Sequence, residues 1–351
     1  MVQLRKDGSG YSILKATIAE IASWGGDPEL RRVHTVQTIR QGLARGAFTG
    51  KFAVCGVRGP EVVVRDFEFP ALTPEEIEGA VELEVSQICP FLAEESTLDY
   101  QVTASRDKKT MGFWVAATNG LLESTRQLVS QAGLQCALVD VVGLTLLNLL
   151  HSPSGRQEIE DHEPKTEDSE PSSTLRPPVS APRDAVLNLG DSCATIAITD
   201  PAGRPFVRDI GSGAPAEARP SLAAARSTTH GVLSTDDGWA TRNDYRPTTN
   251  DSLVEDVATT LRYYAAQNGA ARVDRLLVCG ASADLEEFVD LLRARLNIDV
   301  EPWNPLVGSG FRVEESGAKE TDEDQAQSVL HDLQQYGPSL AVAAGLAMRS
   351  I

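Results

Sequence analysis

The sequence has no CxxC pair, no histidine cluster at metal-ligand spacing and no uninterrupted apolar run of membrane length. Each absence closes off a class of protein. The five cysteines, Cys55, Cys89, Cys136, Cys193 and Cys279, are odd in number and far apart, mostly inside apolar strand-like runs such as KFAVCGV and RLLVCGA. Such usage speaks against a disulfide framework and for buried structural thiols in a reducing compartment. The histidines form no zinc pattern. Basic residues are scarce too: 32 against 50 acidic ones give a formal charge of -18, which repels a phosphate backbone and argues against nucleic acid as a partner. The opening MVQLRKDGSGYSILKA lacks the apolar core of a signal peptide. GLQCALVDVVGLTLLNLL, residues 133–150, is interrupted by Gln135, Asp140 and Asn148, whereas a bilayer span needs about 20 clean apolar residues. It reads as a strand running into a helix, so direct membrane insertion is not expected.

The chain does have enough length for two lobes. Residues 151–183 are rich in acidic residues, serine and proline and nearly devoid of apolar side chains, which predicts a disordered linker between lobes at 1–150 and 184–351. Polar stretches at about 214–250 and at 314–325 read as a flexible insertion and a loop. Between these breaks strand and helix patterns alternate, which predicts an α/β fold. DPELRRVHTVQTIRQGL starts with Asp27 as N-cap and Pro28 at the first helical position, and KFAVCGV reads as a buried strand. In LTPEEIEGAVELEVSQI, Thr73 and Glu76 make a capping box, and Ile77, Val81, Val85 and Ile88 form one apolar stripe opposite an acidic face. In the second half a hairpin, AVLNLGDSCATIAITDPAGRPFVRDIG, precedes the helix SLVEDVATTLRYYAAQ, the strand RVDRLLVCG, the helix DLEEFVDLLRARL and the strand-like IDVEPWNP. Tyr263 and Tyr264 are expected to pack, and Trp303 to close a turn. GPSLAVAAGLAMRSI reads as a short helix of small residues.

Three segments together resemble the actin-like pilus assembly family PilM, a relative of the division protein FtsA. They are FEFPALTPEEIEGAVELEVSQICPFLAEESTLDYQV, the succession of QLVSQAGLQCALVDVVGLTLLNLL, LNLGDS and VDRLLVCGASADLEEFVDLLRARLNIDVEPWNP, and the closing YGPSLAVAAGLAMR. The resemblance implies a two-lobed actin-like (ribonuclease H-like) fold with an FtsA-type subdomain, at about 58–136, inserted in the first lobe. It also implies a cytoplasmic protein, peripheral at the inner membrane, that holds the N-terminal tail of a PilN-like membrane protein and works with other pilus assembly proteins. The tail groove would run along the helix of 74–88 to its Pro-Phe exit. Glu82, Glu84, Gln87, Pro90 and Phe91 are the contact candidates, each also readable as an ordinary solvated or packed residue.

An actin-like cleft holds ATP between two glycine-containing hairpins, with acidic side chains placing Mg²⁺ or its waters. Here VQLRKDGSGYSIL resembles the second strand of the first hairpin, so the first phosphate loop is missing. Asp7, Gly8, Ser9 and Gly10 read as a turn joining two strands. An upstream strand would restore that loop and nothing else. The second hairpin supplies Asn188, Gly190, Asp191 and Ser192, with asparagine where the family carries aspartate, a weaker partner for a hard cation. The adenosine-side loop is reduced to Gly280, Ala281 and Ser282, which restricts close backbone approach. No cofactor is therefore expected, with ATP and Mg as the alternative. The leading expectation is a scaffold without catalytic residues or a metal site. Its rivals are a nucleotide-dependent actin-like ATPase, the cytoplasmic part of a type II secretion platform and a sugar-kinase-like enzyme, the last disfavoured by the missing loop.

Overall fold

Local signals place most of the elements. The computed structural model describes residues 1–7, 10–22, 26–106, 108–152, 183–190, 193–200, 203–211, 250–268, 271–280, 285–307, 311–313 and 323–349. The predicted linker and insertion fall outside these residues except at their ends, as do Gly8 and Ser9. Strands β1 (Val2–Asp7) and β2 (Gly10–Ala16) precede helix α1 (Pro28–Arg45), and β3 (Phe52–Val57) and β4 (Val62–Pro70) lead to α2 (Pro74–Ile88). A single 3-10 turn, Ala93–Glu95, is followed by β5 (Ser96–Arg106), β6 (Lys109–Thr118), α3 (Asn119–Gln131), β7 (Gln135–Val141) and α4 (Val142–Leu150). Then come β8 (Asp184–Leu189), β9 (Ala194–Thr199), β10 (Pro205–Ile210), α5 (Asn250–Gln267), β11 (Arg275–Gly280), α6 (Leu285–Arg295), β12 (Asp299–Pro302), β13 (Phe311–Val313) and α7 (Glu323–Ala347).

The expected caps form. Asp27 accepts from the backbone N–H groups of Glu29 and Leu30, and Thr73 and Glu76 exchange the two bonds of a capping box at the start of α2. Both satisfy N–H groups that a helix start otherwise leaves unpaired. Ile77, Val81 and Val85 are buried as predicted, but Ile88 is exposed, because the helix ends there and the chain turns away at Cys89.

The second half builds one five-stranded sheet, β10-β9-β8-β11-β12, with β8, β9 and β10 an antiparallel meander and β11 and β12 parallel to β8. Its strands are near-continuous apolar runs because both faces are covered. One face packs on α5 and α6 through Val254, Val257, Tyr264, Phe288 and Leu292. The other packs on α4 and α7 through Leu146, Leu149, Leu340 and Ala344. Arg275 and Asp184, opposite one another on β11 and β8, add a two-pronged ion pair at 3.0 Å per prong.

In the first half β1 pairs antiparallel with β2, joined at Asp7 and Gly10 as the turn reading required, and β13 adds parallel to β2. β3 pairs in parallel with β7 and packs, like β1, against α7. KFAVCGV is thus half-exposed, contrary to the buried strand expected, since β7 is its one strand partner among the described residues. Cys193 and Cys279 are buried, Cys55, Cys89 and Cys136 partly so, and all five are free thiols. Burial and the nearby Cys136 push the Cys55 thiol up to about 12, which favours the protonated form. A fourth sheet, β4-β6-β5, carries α2 on one face over its own small core of Phe67, Ile77, Val81, Val85, Trp114 and Ala116.

The last helix corrects the sequence reading. α7 is 25 residues long and has Pro338 inside it, where a helix start at Gly337-Pro338 was expected. Proline lacks the N–H that would bond to the carbonyl of Gln334. Asn304 supplies the substitute: its Nδ2 donates to Leu333 O at 2.9 Å and to Gln334 O at 3.2 Å. Gly337 leaves the room for that side chain. The helix therefore runs through the proline because a neighbouring turn satisfies it.

Candidate functional site

Two places draw together the residues that sequence reasoning singled out. The first is the end of the β8–β9 hairpin. Asn188 stands opposite Thr195 on β9 and Cys279 on β11, and it is buried at 5% exposure, so its amide belongs to the sheet interior. The Cys279 thiol donates to Asn188 Oδ1 at 3.8 Å, and burial raises the thiol's pKa, which keeps the donor proton in place. Gly190 closes the hairpin by donating its N–H to Cys193 O at 3.2 Å. Gly280 ends β11 at φ +122°, where a Cβ would run into the backbone of Leu189. Asp191, Ser192, Ala281 and Ser282 lie outside the described residues.

The same place gathers groups the sequence did not reveal. Just past β3, the Arg58 guanidinium lies over Gly190 and donates from Nη1 to Cys193 O at 3.5 Å. The next residue, Gly59, donates its N–H to Asp209 Oδ2 at 2.5 Å, while Thr195 Oγ1 donates to Asp209 Oδ1 at 2.6 Å. A little further along, Arg204 spans Asp200 on its own turn and Asp66 on β4, at 2.6 and 3.3 Å. Gly59 and Asp209 are separated by 150 positions, and no local pattern brings Arg58 or Asp209 to this place; the contact between the end of β3 and β10 was the missing information.

The second place is the outer face of α2. Glu82, Gln87 and Pro90 are exposed, Glu84 is half-buried, and Phe91 packs against the small core beneath the helix. Leu83 and Leu92, 61% and 65% exposed, lie near these residues in sequence, an apolar presence on an otherwise acidic surface that composition alone did not reveal. Glu84 Oε2 is buried with no hydrogen-bond partner, and so is the indole Nε1 of Trp114. Burial raises the Glu84 carboxyl above its ordinary range; the indole N–H offsets part of that without reaching hydrogen-bond geometry, Asp66 adds to the rise and Arg65 opposes it.

The sign of that shift makes a prediction. A carboxyl that binds its proton more tightly when folded contributes against stability at neutral pH, and the penalty vanishes as pH falls below the unfolded value. Glu84→Gln is expected to raise the melting temperature slightly at pH 7 and to leave it unchanged near pH 4, by differential scanning fluorimetry across that range.

A meander of three strands extended by two parallel ones, flanked by helices on both faces and joined to a second α/β unit through α4 and α7, is the architecture of the actin-like class. The solved PilM-PilN type IV pilus biogenesis complex shares this fold: a chain of it matches at 18% identity and a TM-score of 0.66, over 99% of the present chain and 94% of its own. Two more distant likenesses are the cytoplasmic domain of EpsL, an inner-membrane component of the type II secretion system of Vibrio cholerae, and a Bacteroides thetaiotaomicron protein with actin-like ATPase fold. The first has 7% identity and a TM-score of 0.38, over 93% of this chain and 94% of its own. The second has 9% identity and a TM-score of 0.39, over 87% and 90%. Residues 1–150 match the family model of the type IV pilus assembly protein PilM. That likeness to the PilM family covers residues 1–150, and the fold is actin-like.

Proposed function

We propose that this chain is a scaffold of a type IV pilus assembly machine that binds the cytoplasmic N-terminal tail of a PilN-like inner-membrane protein. In this reading residues 1–150 and 184–351 are the two lobes, and a subdomain at about 58–136 carries the tail-binding face. No helix among the described residues is long and apolar enough to cross a membrane, so a membrane-anchored partner supplies the attachment and keeps the scaffold peripheral at the inner membrane.

The observation that carries the reading is the chemistry of the α2 face. Leu83 and Leu92 are exposed apolar side chains among Glu82, Glu94 and Glu95, and the Glu84 carboxylate has a buried oxygen with no partner. An apolar peptide with a basic residue would cover the leucines and meet the exposed carboxylates of Glu82, Glu94 and Glu95, which is how a short extended segment gains affinity and register together. The scaffold acts by position, not by turnover.

Calorimetric titration with a synthetic peptide of the partner's tail tests this. Micromolar binding is expected, weakened about tenfold or more by Leu92→Glu, as befits loss of an apolar anchor of roughly 1.5–3 kcal/mol. A tail peptide that fails to bind the intact chain overturns the assignment.

A further inference from the structure

The actin-like class implies a nucleotide with its phosphates at the β8–β9 hairpin, and the described residues there do not fit one. A phosphate is held by convergent backbone N–H groups and needs space over the glycine for its oxygens. Here the N–H of Gly190 is bonded to Cys193 O, and the space over Gly190 is taken by a guanidinium. What the hairpin offers Arg58 is a carbonyl, an acceptor, and the carboxylate of Asp209 stands beside the same junction. The local polarity thus suits a cation and opposes an anion.

We propose that Arg58 is a built-in occupant of the phosphate position, and that with Gly59, Asp209 and Thr195 it forms a latch between the end of β3 and the β8–β9–β10 meander. The latch makes the cleft a joint. Gly59 N–H to Asp209 and Arg58 to Cys193 cross from the first half of the chain to the second, and Arg204, just before β10, makes a further crossing to Asp66 on β4. The glycine at position 190 is explained in the same terms, since any side chain there would displace the guanidinium.

Hydrogen exchange read by mass spectrometry on the full chain, with and without Mg-ATP, tests the latch. In the unchanged protein, Mg-ATP up to millimolar concentration is expected to give no protection anywhere. Arg58→Ala is expected to speed exchange about tenfold in the segments 54–59 and 186–190, while the β5 and β6 strands keep their rates, a local opening and not a general loss of stability. Arg58→Lys, which keeps the charge but not the planar fork, should fall between. If Arg58→Ala fails to fold, Asp209→Asn gives the second reading, with faster exchange at Gly59 expected. Protection of residues 186–190 by Mg-ATP in the unchanged protein, or unchanged exchange in both Arg58→Ala and Asp209→Asn, overturns the proposal. Loss or retention of tail-peptide binding at α2 is a separate readout, so failure here and failure of the scaffold reading are distinguishable.

Discussion

Gly280→Val is expected to yield little or no soluble folded protein, and Gly280→Ala to lose about 3–5 kcal/mol, the sum of a strained backbone at positive φ and an overpacked contact. Both costs have a visible cause. The residue sits at φ +122°, where side chains other than glycine's are rarely tolerated, and the added Cβ would meet main-chain atoms of Leu189, which cannot rotate aside as a flexible side chain could. β11 and β8 are adjacent, parallel and central in the sheet, so the clash falls where all neighbours are fixed. Gly79→Ala is the matched control: this glycine lies on the exposed side of α2 with open space around its Cα, and alanine there should stabilise by about 0.5–1 kcal/mol. Urea denaturation of the three proteins decides the matter. Were Gly280 kept for close approach to an adenosine, Gly280→Ala would lose nucleotide affinity and keep its stability.

The second large effect is expected at Trp114. Its side chain is fully buried between β6 and α2 and is the largest member of a core that touches Phe67, Val81 and Val85. Trp114→Ala should cost about 3–5 kcal/mol, the usual range for emptying such a volume. Because this core is separate from the two that flank the five-stranded sheet, the loss should be local, with hydrogen exchange rising in β4, β5 and β6 and staying slow in β8 and β11. Trp114→Phe should cost far less. It keeps most of the volume and removes an indole N–H that now lies buried without an acceptor. On the scaffold reading, Trp114→Ala also abolishes tail-peptide binding, since α2 loses the platform beneath it.

These two positions show which kinds of information a sequence carries. Caps, strand runs and the amphipathic stripe of α2 are written in residues a few places apart, and Asp27, Thr73 and Glu76 behave as their spacing says. Trp114 needed the pairing of β4, β5 and β6 to become a core residue, although its apolar strand context hinted at burial. Arg58 and Asp209 needed more. Neither belongs to a motif, and the contacts that join the end of β3 to the β8–β9–β10 meander link distant parts of the chain. The length of α7 was hidden for a different reason: Pro338 is locally a stop signal, and the group that overrides it, Asn304, lies in the turn after β12. Tyr263 and Tyr264 divide in the same way. Tyr264 is buried in the core, whereas Tyr263 stays at the surface with Arg208 set over its ring at 5.6 Å.

The path of α7 bears on how the molecule can be made and cut. This helix covers β1 and β3 while it also lines the five-stranded sheet, and β13 completes the sheet begun by β1 and β2. During synthesis the early hairpin must therefore wait, its apolar side uncovered, until residues 311–313 and then 323–347 leave the ribosome. Fragments divided at the acidic linker would each carry one half of a shared interior, so deletion series meant to map partner contacts will report misfolding before they report binding.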